Sequence, residues 1–274
     1  EEIIKKEILF YLKSSQIKIN GKTLKKQEIK SVVKGIRAKL HRIYASYQIK
    51  GKSKRNELLI ELENLVKQES GKSEKSSQFL EIINKLLSTT LSTKERLNDY
   101  QYIYSKIFSI TGNPEIITDL GAGLNPLSFP YMNLEKSEIS ALNYYAYDID
   151  IDDVNFLNKY FQIMKVFGLN GRAFVLDIID INQLKELPKS DITFMFKLVD
   201  LIDSKNKKIS ETIINYLLKN KTKFIVASFA TKTLTRKTMN LPRRIGFEKM
   251  LSRNKLKFKD FSIDNEIFYV ISER

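Results

Sequence analysis

The chain has 274 residues, enough for one large domain or two smaller ones, and 42% of them are apolar, as an ordinary core requires. It contains no cysteine, which excludes disulfides, thiolate nucleophiles and cysteine-ligated zinc, and its single histidine argues against a histidine-based metal site or triad. The formal net charge is +15, and no apolar run approaches the roughly 20 residues of a membrane span. We therefore expect a cytoplasmic protein with neither a metal nor a membrane as partner.

The positive charge is concentrated near the beginning of the sequence. Residues 1–110 carry 23 Lys and Arg against 12 Asp and Glu, whereas the remainder carries 24 against 20. Residues 13–55 contain 14 basic residues and one acid, Glu28. Lysine that only solvates a surface would normally come with matching glutamate. The block is instead typical of a protein that binds a polyanion, so we expect nucleic-acid binding.

Residues 1–110 have the apolar pattern of helices. Apolar side chains recur at helical spacing in residues 29–47, 58–66 and 79–87. Ser92 followed by Glu95 is a capping-box signature, which predicts that a fourth helix begins at Ser92 and runs through residue 110. The sequence thus predicts a basic, all-helical domain over residues 1–110 and a second domain over residues 111–274.

From residue 115 onward, strand patterns alternate with helix patterns. The predicted strands are residues 115–120, 143–147, 172–176, 191–196, 224–228, 257–263 and 267–272. The predicted helices lie near residues 151–167, 208–220 and 242–254, and Asp264-Asn265 supplies the turn of a closing hairpin. The alternation predicts a parallel α/β sheet with right-handed crossovers. Five alternating strands and a hairpin favour the Rossmann-like, seven-stranded methyltransferase sheet over an NAD-binding domain.

A glycine-rich turn follows the first predicted strand. The segment reads DLGAGLNP over residues 119–126, and two glycines around one small residue let the backbone approach a ligand closely. Pro126 replaces the third glycine of the dinucleotide fingerprint, but it suits the first turn of a helix. Because open α/β sheets bind ligands at the carboxyl ends of their strands, the turn predicts a pocket for a nucleoside-containing cofactor. An ordinary strand-to-helix turn is the alternative.

Acidic residues end the next two strands. Asp148 could accept hydrogen bonds from both ribose hydroxyls, and it lies far enough after the glycine turn to predict a loop inserted at residues 131–141. At least two of the three acids that follow it should only start a helix: Asp150, Asp152 and Asp153. Asp177, together with the backbone of Ile178, could read an adenine edge, or Asp177 could cap a helix.

The fourth strand ends in Phe196-Lys197-Leu198-Val199 rather than in the Asn/Asp-Pro-Pro-aromatic motif common among methyltransferases that act on exocyclic amines. Lys197 could be a buried pairing lysine or could face the substrate. Guanine N7 has a free lone pair and needs no deprotonation, so positioning can supply most of the rate at that atom. A site without His, Cys or Asn-Pro-Pro is compatible with this chemistry.

A basic segment follows the fifth strand. It reads SFATKTLTRK over residues 228–237, and Arg243 and Arg244 come next, in the predicted helix. A basic loop over a cofactor pocket could hold phosphates beside a target base. A solvated surface loop is the alternative.

Taken together, these motifs resemble those of the 16S ribosomal RNA guanine-N7 methyltransferases of the aminoglycoside-resistance type. The segments that carry the resemblance, in family order, are LHRIYASY (40–47), STKERL (92–97), DLGAGLNPL (119–127), FKL (196–198), SFATKTL (228–234) and NEI (265–267). The resemblance implies an S-adenosylmethionine (SAM) domain behind a helical domain that docks on the small ribosomal subunit. It also implies methylation of a decoding-site guanine of 16S rRNA, of the guanine-1405 type, by a chain expected to be monomeric.

The resemblance also assigns residues. Arg96 would hold the cofactor carboxylate, Asp148 the ribose, and Asp177 with Ile178 the adenine. The complete set expected around the cofactor is Arg96, Asp119, Gly121, Ala122, Gly123, Asn125, Asp148, Ile149, Asp177, Ile178, Phe196, Lys197 and Leu198. The residues expected in the catalytic region beside the target guanine are Ser228, Phe229, Thr231 and Lys232. The basic residues expected to bind RNA are Lys18, Lys22, Lys25, Lys26, Arg37, Arg42, Lys94, Arg236 and Lys237.

The sequence departs from the family pattern mainly on the target side. Lys94 and Lys232 stand where the family tends to have Arg, and Ala230 stands where it has Pro; lysine keeps the charge but loses the guanidinium fork. Two other functions stay open: a SAM methyltransferase acting on another RNA or a small molecule, and a non-catalytic RNA-binding module with the same fold. Whether the role is antibiotic resistance or housekeeping modification also stays open.

Overall fold

A computed structural model describes residues 54–68, 76–205, 209–232 and 243–273. All of them belong to one compact unit, Gly51–Arg274. No helix in these described ranges is long and apolar enough to cross a membrane. The helix predicted within residues 29–47 lies outside them.

In the described part of the chain, four α-helices precede the sheet: α1 (Arg55–Gln68), α2 (Ser77–Leu87), α3 (Leu91–Arg96) and α4 (Tyr100–Thr111). Their buried side chains recur three and four positions apart, as in an amphipathic helix. Helix α2 begins after Ser76, whose hydroxyl accepts a hydrogen bond from the Phe79 amide. Helix α4 ends at Thr111 and is followed by Gly112, whose φ of 74° suits glycine.

The predicted helix start at Ser92 and its continuation through residue 110 were wrong. Helix α3 already begins at Leu91, after Thr90, and a break separates it from α4. The Glu95 carboxylate does not turn back to the Ser92 amide, as a capping box requires, because it pairs with the Lys197 ammonium at 2.5 Å. A partner distant in sequence thus outweighs the local motif.

Seven strands form one sheet: β1 (Ile116–Leu120), β2 (Asn143–Asp148), β3 (Asn170–Val175), β4 (Ser190–Phe196), β5 (Thr222–Ala230), β6 (Lys257–Ile263) and β7 (Glu266–Ser272). Their order is β3-β2-β1-β4-β5-β7-β6, with β1 to β5 parallel and β7 antiparallel to both neighbours. The predicted seven-stranded sheet is confirmed, each predicted strand end lies within two residues of the observed one, and Asp264-Asn265 forms the hairpin turn.

Among the described residues, six further α-helices accompany the strands: α5 (Lys136–Ala141), α6 (Ile151–Met164), α7 (Ile181–Leu184), α8 (Val199–Lys205), α9 (Ile209–Asn220) and α10 (Ile245–Arg253). The loop predicted at residues 131–141 was wrong, because α5 occupies much of it. The Glu138 carboxylate accepts a 2.7 Å hydrogen bond from the Glu135 amide and so closes the first turn of α5. Arg243 and Arg244 precede α10 rather than lying within it.

The sheet has an apolar core on each face. One core joins it to α1, α2, α4 and α6, and the other joins it to α8, α9 and α10. Arg55 at the start of α1 also forms a buried 2.8 Å ion pair with Asp153 in the first turn of α6. The helices before residue 112 that the structure describes therefore share a core with the sheet. The functional boundary at residue 110 stays a prediction.

Candidate functional site

The glycine turn directly follows β1. Gly121 and Gly123 have φ angles of 65° and 47°, values that residues with a Cβ rarely adopt. The chain then enters a 3-10 helix, Asn125–Met132, with Pro126 in its first turn as predicted. A Cβ added at Gly121 would lie 2.8 Å from the Leu198 Cδ1, so the backbone here passes close to the end of β4.

Asp148, at the end of β2, is bonded to this turn. Its Oδ2 accepts a 2.8 Å hydrogen bond from the Gly123 amide, and its Oδ1 accepts a 2.9 Å bond from the Asp150 amide. Burial raises the pKa of Asp148, while these two amides act against that shift. Asp150 caps α6, and Asp152 and Asp153 lie in its first turn, which confirms that these acids start a helix.

Asp119 supports the turn from below and is 1% exposed. Its Oδ2 accepts hydrogen bonds from the Asn125 amide group at 2.9 Å and from the Tyr144 hydroxyl at 2.7 Å. Burial raises the pKa of Asp119 to about 6, although both hydrogen bonds lower it. Asp119 and Asn125 therefore fix the turn from within the core, while Ala122 is tied to the Tyr147 carbonyl by a 3.0 Å backbone bond.

A second buried network is ionic and has Glu266 at its centre. Glu266 is fully buried and accepts three hydrogen bonds from Arg96: from Nε to both oxygens, at 3.1 and 2.9 Å, and from Nη2 at 2.8 Å. The Lys197 Nζ lies 3.3 Å from the same carboxylate and 2.5 Å from Glu95, so Lys197 is a buried pairing lysine. Ser228 also donates a hydrogen bond to Glu266.

Aromatic packing holds this network. The Arg96 guanidinium lies over the Phe196 ring, 4.9 Å from its centroid. Lys197 has a φ of 53°, and its amide lies 3.0 Å from the Ser228 hydroxyl and 3.1 Å from the Ser228 carbonyl. Phe196, Lys197 and Leu198 thus lie at the carboxyl edge of the sheet, where the sequence placed them.

The residues expected around an adenine lie at the end of β3. Asp177 accepts a 3.1 Å hydrogen bond from the Ile179 amide, and its own amide donates to Gln183. The cap of α7 is Asp180, so Asp177 does not have the capping role that was its alternative. Ile149 and Ile178 are half-buried, close in sequence to the ends of β2 and β3.

The four residues expected beside the target do not converge on one point. Ser228 is buried beneath the edge in the Glu266 network, whereas Phe229 points to the opposite face and packs against Phe247 and Tyr269. Thr231 is buried beside the hairpin turn, and Lys232 forms a 2.5 Å ion pair with Asp264 in that turn. Of the four, Lys232 has the most exposed side chain.

Among the basic residues expected to bind RNA, the structure describes Lys94, which is exposed on α3. The others lie outside the described residues: Lys18, Lys22, Lys25, Lys26, Arg37, Arg42, Arg236 and Lys237. Glu266 lies in the NEI motif of residues 265–267, but its place at the centre of this network was not predicted. The available signal was one acid at the start of an otherwise apolar strand.

Comparisons with known proteins identify the family of this chain. The family model described as "Ribosomal RNA methyltransferase (FmrO)" matches residues 22–270. A relative named 16S rRNA (guanine(1405)-N(7))-methyltransferase, from Proteus mirabilis, is 29% identical over 252 residues, which cover 89% of this chain and 84% of the relative. A relative of the same name from Micromonospora echinospora is 25% identical over 248 residues, covering 90% and 84%.

Solved structures share the fold. The 16S rRNA methyltransferase RmtF in complex with S-adenosyl-L-homocysteine superposes with a TM-score of 0.71 at 17% identity, covering 100% of this chain and 91% of that one. The 16S rRNA methylase ArmA gives 0.54 at 24% identity, covering 78% and 98%.

Proposed function

Because this chain belongs to the ribosomal RNA methyltransferase (FmrO) family, we propose that it transfers a methyl group from SAM to N7 of the 16S rRNA guanine that corresponds to position 1405. The observation that carries the proposal is the Gly121–Gly123 turn bonded to Asp148 at the carboxyl edge of a seven-stranded sheet. A non-catalytic module would have no need to keep this turn and this carboxylate together.

The residues at the edge fit the cofactor. Gly121 and Gly123 bring bare backbone to the pocket, and the ionised form of Asp148 has lone pairs left for ribose hydroxyls after accepting its two amides. Arg96 supplies a cation for the carboxylate of the methionine end, and Asp177 with Ile178 lies at the strand end assigned to the adenine. When bound, SAM supplies an electrophilic methyl group on a sulfonium.

Methylation of guanine N7 does not require a general base on the protein. The lone pair of N7 is free in the neutral base, so the protein must mainly align it with the methyl group and exclude water. Lys197 and Glu266 are engaged with each other, and Ser228 is bonded to Glu266, so these groups shape the pocket rather than move protons. Lys232 at the rim supplies positive charge for a phosphate near the target base.

The substrate proposed is rRNA within the assembled small subunit, methylated by a monomer in the cytoplasm. The excess of basic residues before residue 56 supports contact with a phosphate backbone, whose binding would weaken steeply with salt. Resistance to aminoglycosides that bind the decoding site is the phenotype proposed with it. Binding to another RNA would show the same salt dependence. Only the identity of the methylated nucleotide therefore distinguishes 16S rRNA from another RNA substrate.

The test is transfer of labelled methyl from SAM to isolated small subunits, with subunits that carry adenine in place of guanine 1405 as the matched control. Incorporation into the parent subunits, and none into the substituted ones, is the expected result. Equal incorporation into both would assign the activity to another position, and none into either would contradict the proposal.

A further inference from the structure

The hydrogen bonds between Arg96 and Glu266 use one edge of the guanidinium. They involve Nε and Nη2; among the residues that the structure describes, none accepts a well-formed hydrogen bond from Nη1, while the Tyr100 side chain lies close to the guanidinium. A guanidinium carries five N–H donors in a planar fork. Nη1 and the remaining hydrogen of Nη2 therefore form a second edge that can take another carboxylate in the same bidentate way.

Arg96 is held in a fixed plane. It is 2% exposed, its ring partner Phe196 lies on one side, and Glu266 fixes its rotation about the long side-chain axis. A free arginine samples many rotamers and loses that freedom when it binds a ligand. A guanidinium whose orientation is set before binding avoids much of this entropic cost.

Glu266 has the charge and the position needed to orient the Arg96 guanidinium. Burial by itself would raise the pKa of Glu266, but the charges of Arg96 and Lys197 outweigh burial, so the pKa lies below its ordinary value and the carboxylate stays ionised. The carboxylate comes from the first residue of β7, 170 positions after Arg96. It therefore ties α3 to the carboxyl edge of the sheet, beside the ends of β4 and β5.

We propose that Glu266 is a positioning residue for the cofactor: it orients Arg96 so that the second guanidinium edge binds the carboxylate of the methionine end. The inference rests on the proposed function, which supplies the ligand. Through Ser228, the same carboxylate also fixes the end of β5, where the target-side segment begins. One side chain thus sets the geometry of both halves of the pocket.

The test compares two ligands that differ in the group Arg96 would bind. S-adenosylhomocysteine carries the amino-acid carboxylate, whereas 5′-methylthioadenosine has the same adenosine and thioether sulfur without it. Titration calorimetry on the full chain gives the dissociation constant of each. We expect Glu266→Gln to raise the dissociation constant of S-adenosylhomocysteine by at least about tenfold. The dissociation constant of methylthioadenosine should change by less than about twofold.

Glu211→Gln is the matched control. Its carboxylate also accepts hydrogen bonds from an arginine, Arg253, but this pair joins α9 to α10 and includes none of the residues assigned to the cofactor, so both dissociation constants should stay within about twofold of the parent. If the role of Glu266 were only structural, Glu266→Gln would lower the affinity for both ligands equally, and that result would overturn the inference. An unchanged affinity for S-adenosylhomocysteine would also overturn it.

Glu266→Asp covers the case in which Glu266→Gln does not fold, as judged by circular dichroism. It keeps the charge but withdraws the carboxylate by one methylene, so the same selective loss of S-adenosylhomocysteine is expected, and an unselective loss or none overturns the inference. A parent chain that binds neither ligand would refute the proposed cofactor and this inference together. A parent chain that binds both but methylates no rRNA would refute the proposed function alone.

Discussion

The Gly123 amide donates a 2.8 Å hydrogen bond to the Asp148 carboxylate, and this bond joins the turn after β1 to the end of β2. Strands β1 and β2 are parallel neighbours in the sheet, so the bond holds together the two elements assigned to opposite parts of one nucleoside cofactor. The carboxylate thus shapes the backbone of the pocket and also presents its remaining lone pairs toward a ligand.

Replacing Asp148 should reduce cofactor affinity sharply. Asp148→Asn keeps the shape of the side chain but has one acceptor oxygen in place of two. That oxygen cannot accept hydrogen bonds from the Gly123 amide, the Asp150 amide and a ribose hydroxyl together. We expect the dissociation constant of S-adenosylhomocysteine to rise by at least about tenfold, measured by calorimetry. Asp152→Asn, in the first turn of α6, is the control and should leave it unchanged. If Asp148→Asn kept its affinity for S-adenosylhomocysteine, the assignment of Asp148 to the ribose would be wrong.

The two glycines of the turn should differ in their tolerance of alanine. Gly123→Ala meets no atom within 4 Å and carries only the strain of a positive φ, about 1 kcal/mol of unfolding free energy. Gly121→Ala adds a contact at 2.8 Å with the Leu198 side chain, so it should destabilise more. Urea unfolding gives both values.

A double-mutant cycle isolates the contact. If the Leu198 side chain is the obstacle, Leu198→Ala should be less destabilising in the Gly121→Ala background than in the parent. Strictly additive effects would mean that the positive φ alone makes Gly121 necessary.

Asp119 should give stability a specific pH dependence. Its pKa is raised from 3.8 to about 6 by burial, so the folded chain holds the proton more tightly than the unfolded chain does. Stability from this group is therefore present at low pH and is lost as the pH rises through about 6. Asp119→Asn is neutral throughout, so its unfolding free energy relative to the parent should increase by up to ~3 kcal/mol between about pH 4 and pH 7. A difference that does not vary with pH would contradict a raised pKa.

Lys232 should affect turnover more than cofactor binding. It lies at the end of β5 and pairs with Asp264 in the hairpin turn, where a phosphate of the substrate could compete for it. We expect Lys232→Ala to lower the methylation rate of small subunits at least about tenfold, with the affinity for S-adenosylhomocysteine within about twofold. Lys223→Ala is the control, since Lys223 forms a similar pair with Asp191 at the other end of β5. Unchanged methylation by Lys232→Ala would contradict a role of the basic segment in methylation.

The part of the site that the sequence predicted well is local in sequence or follows from topology. The glycine turn and Asp148 come directly after apolar runs, and a parallel sheet brings strand ends together at one edge, so their juxtaposition was expected. Asp119 and Asn125 were expected at the pocket but lie beneath it, because their side chains bond to each other within the core.

The parts that could not be predicted depend on distant partners. Glu95 fits a capping box by spacing, yet it binds Lys197, 102 positions away. Glu266 reaches Arg96 across 170 positions, and no periodicity links them. Ser228 and Phe229 are adjacent in one motif, but successive residues of a strand point to opposite faces, so only Ser228 joins the network.

Base mapping of the 16S rRNA shows whether the protein methylates one guanine at N7. Small subunits would be incubated with the protein and SAM, and their 16S rRNA treated with borohydride and aniline, which cleave at N7-methylguanine, before primer extension. We expect one new stop next to guanine 1405 that requires both protein and SAM. A stop at another guanine, or methyl incorporation without any stop, would contradict it.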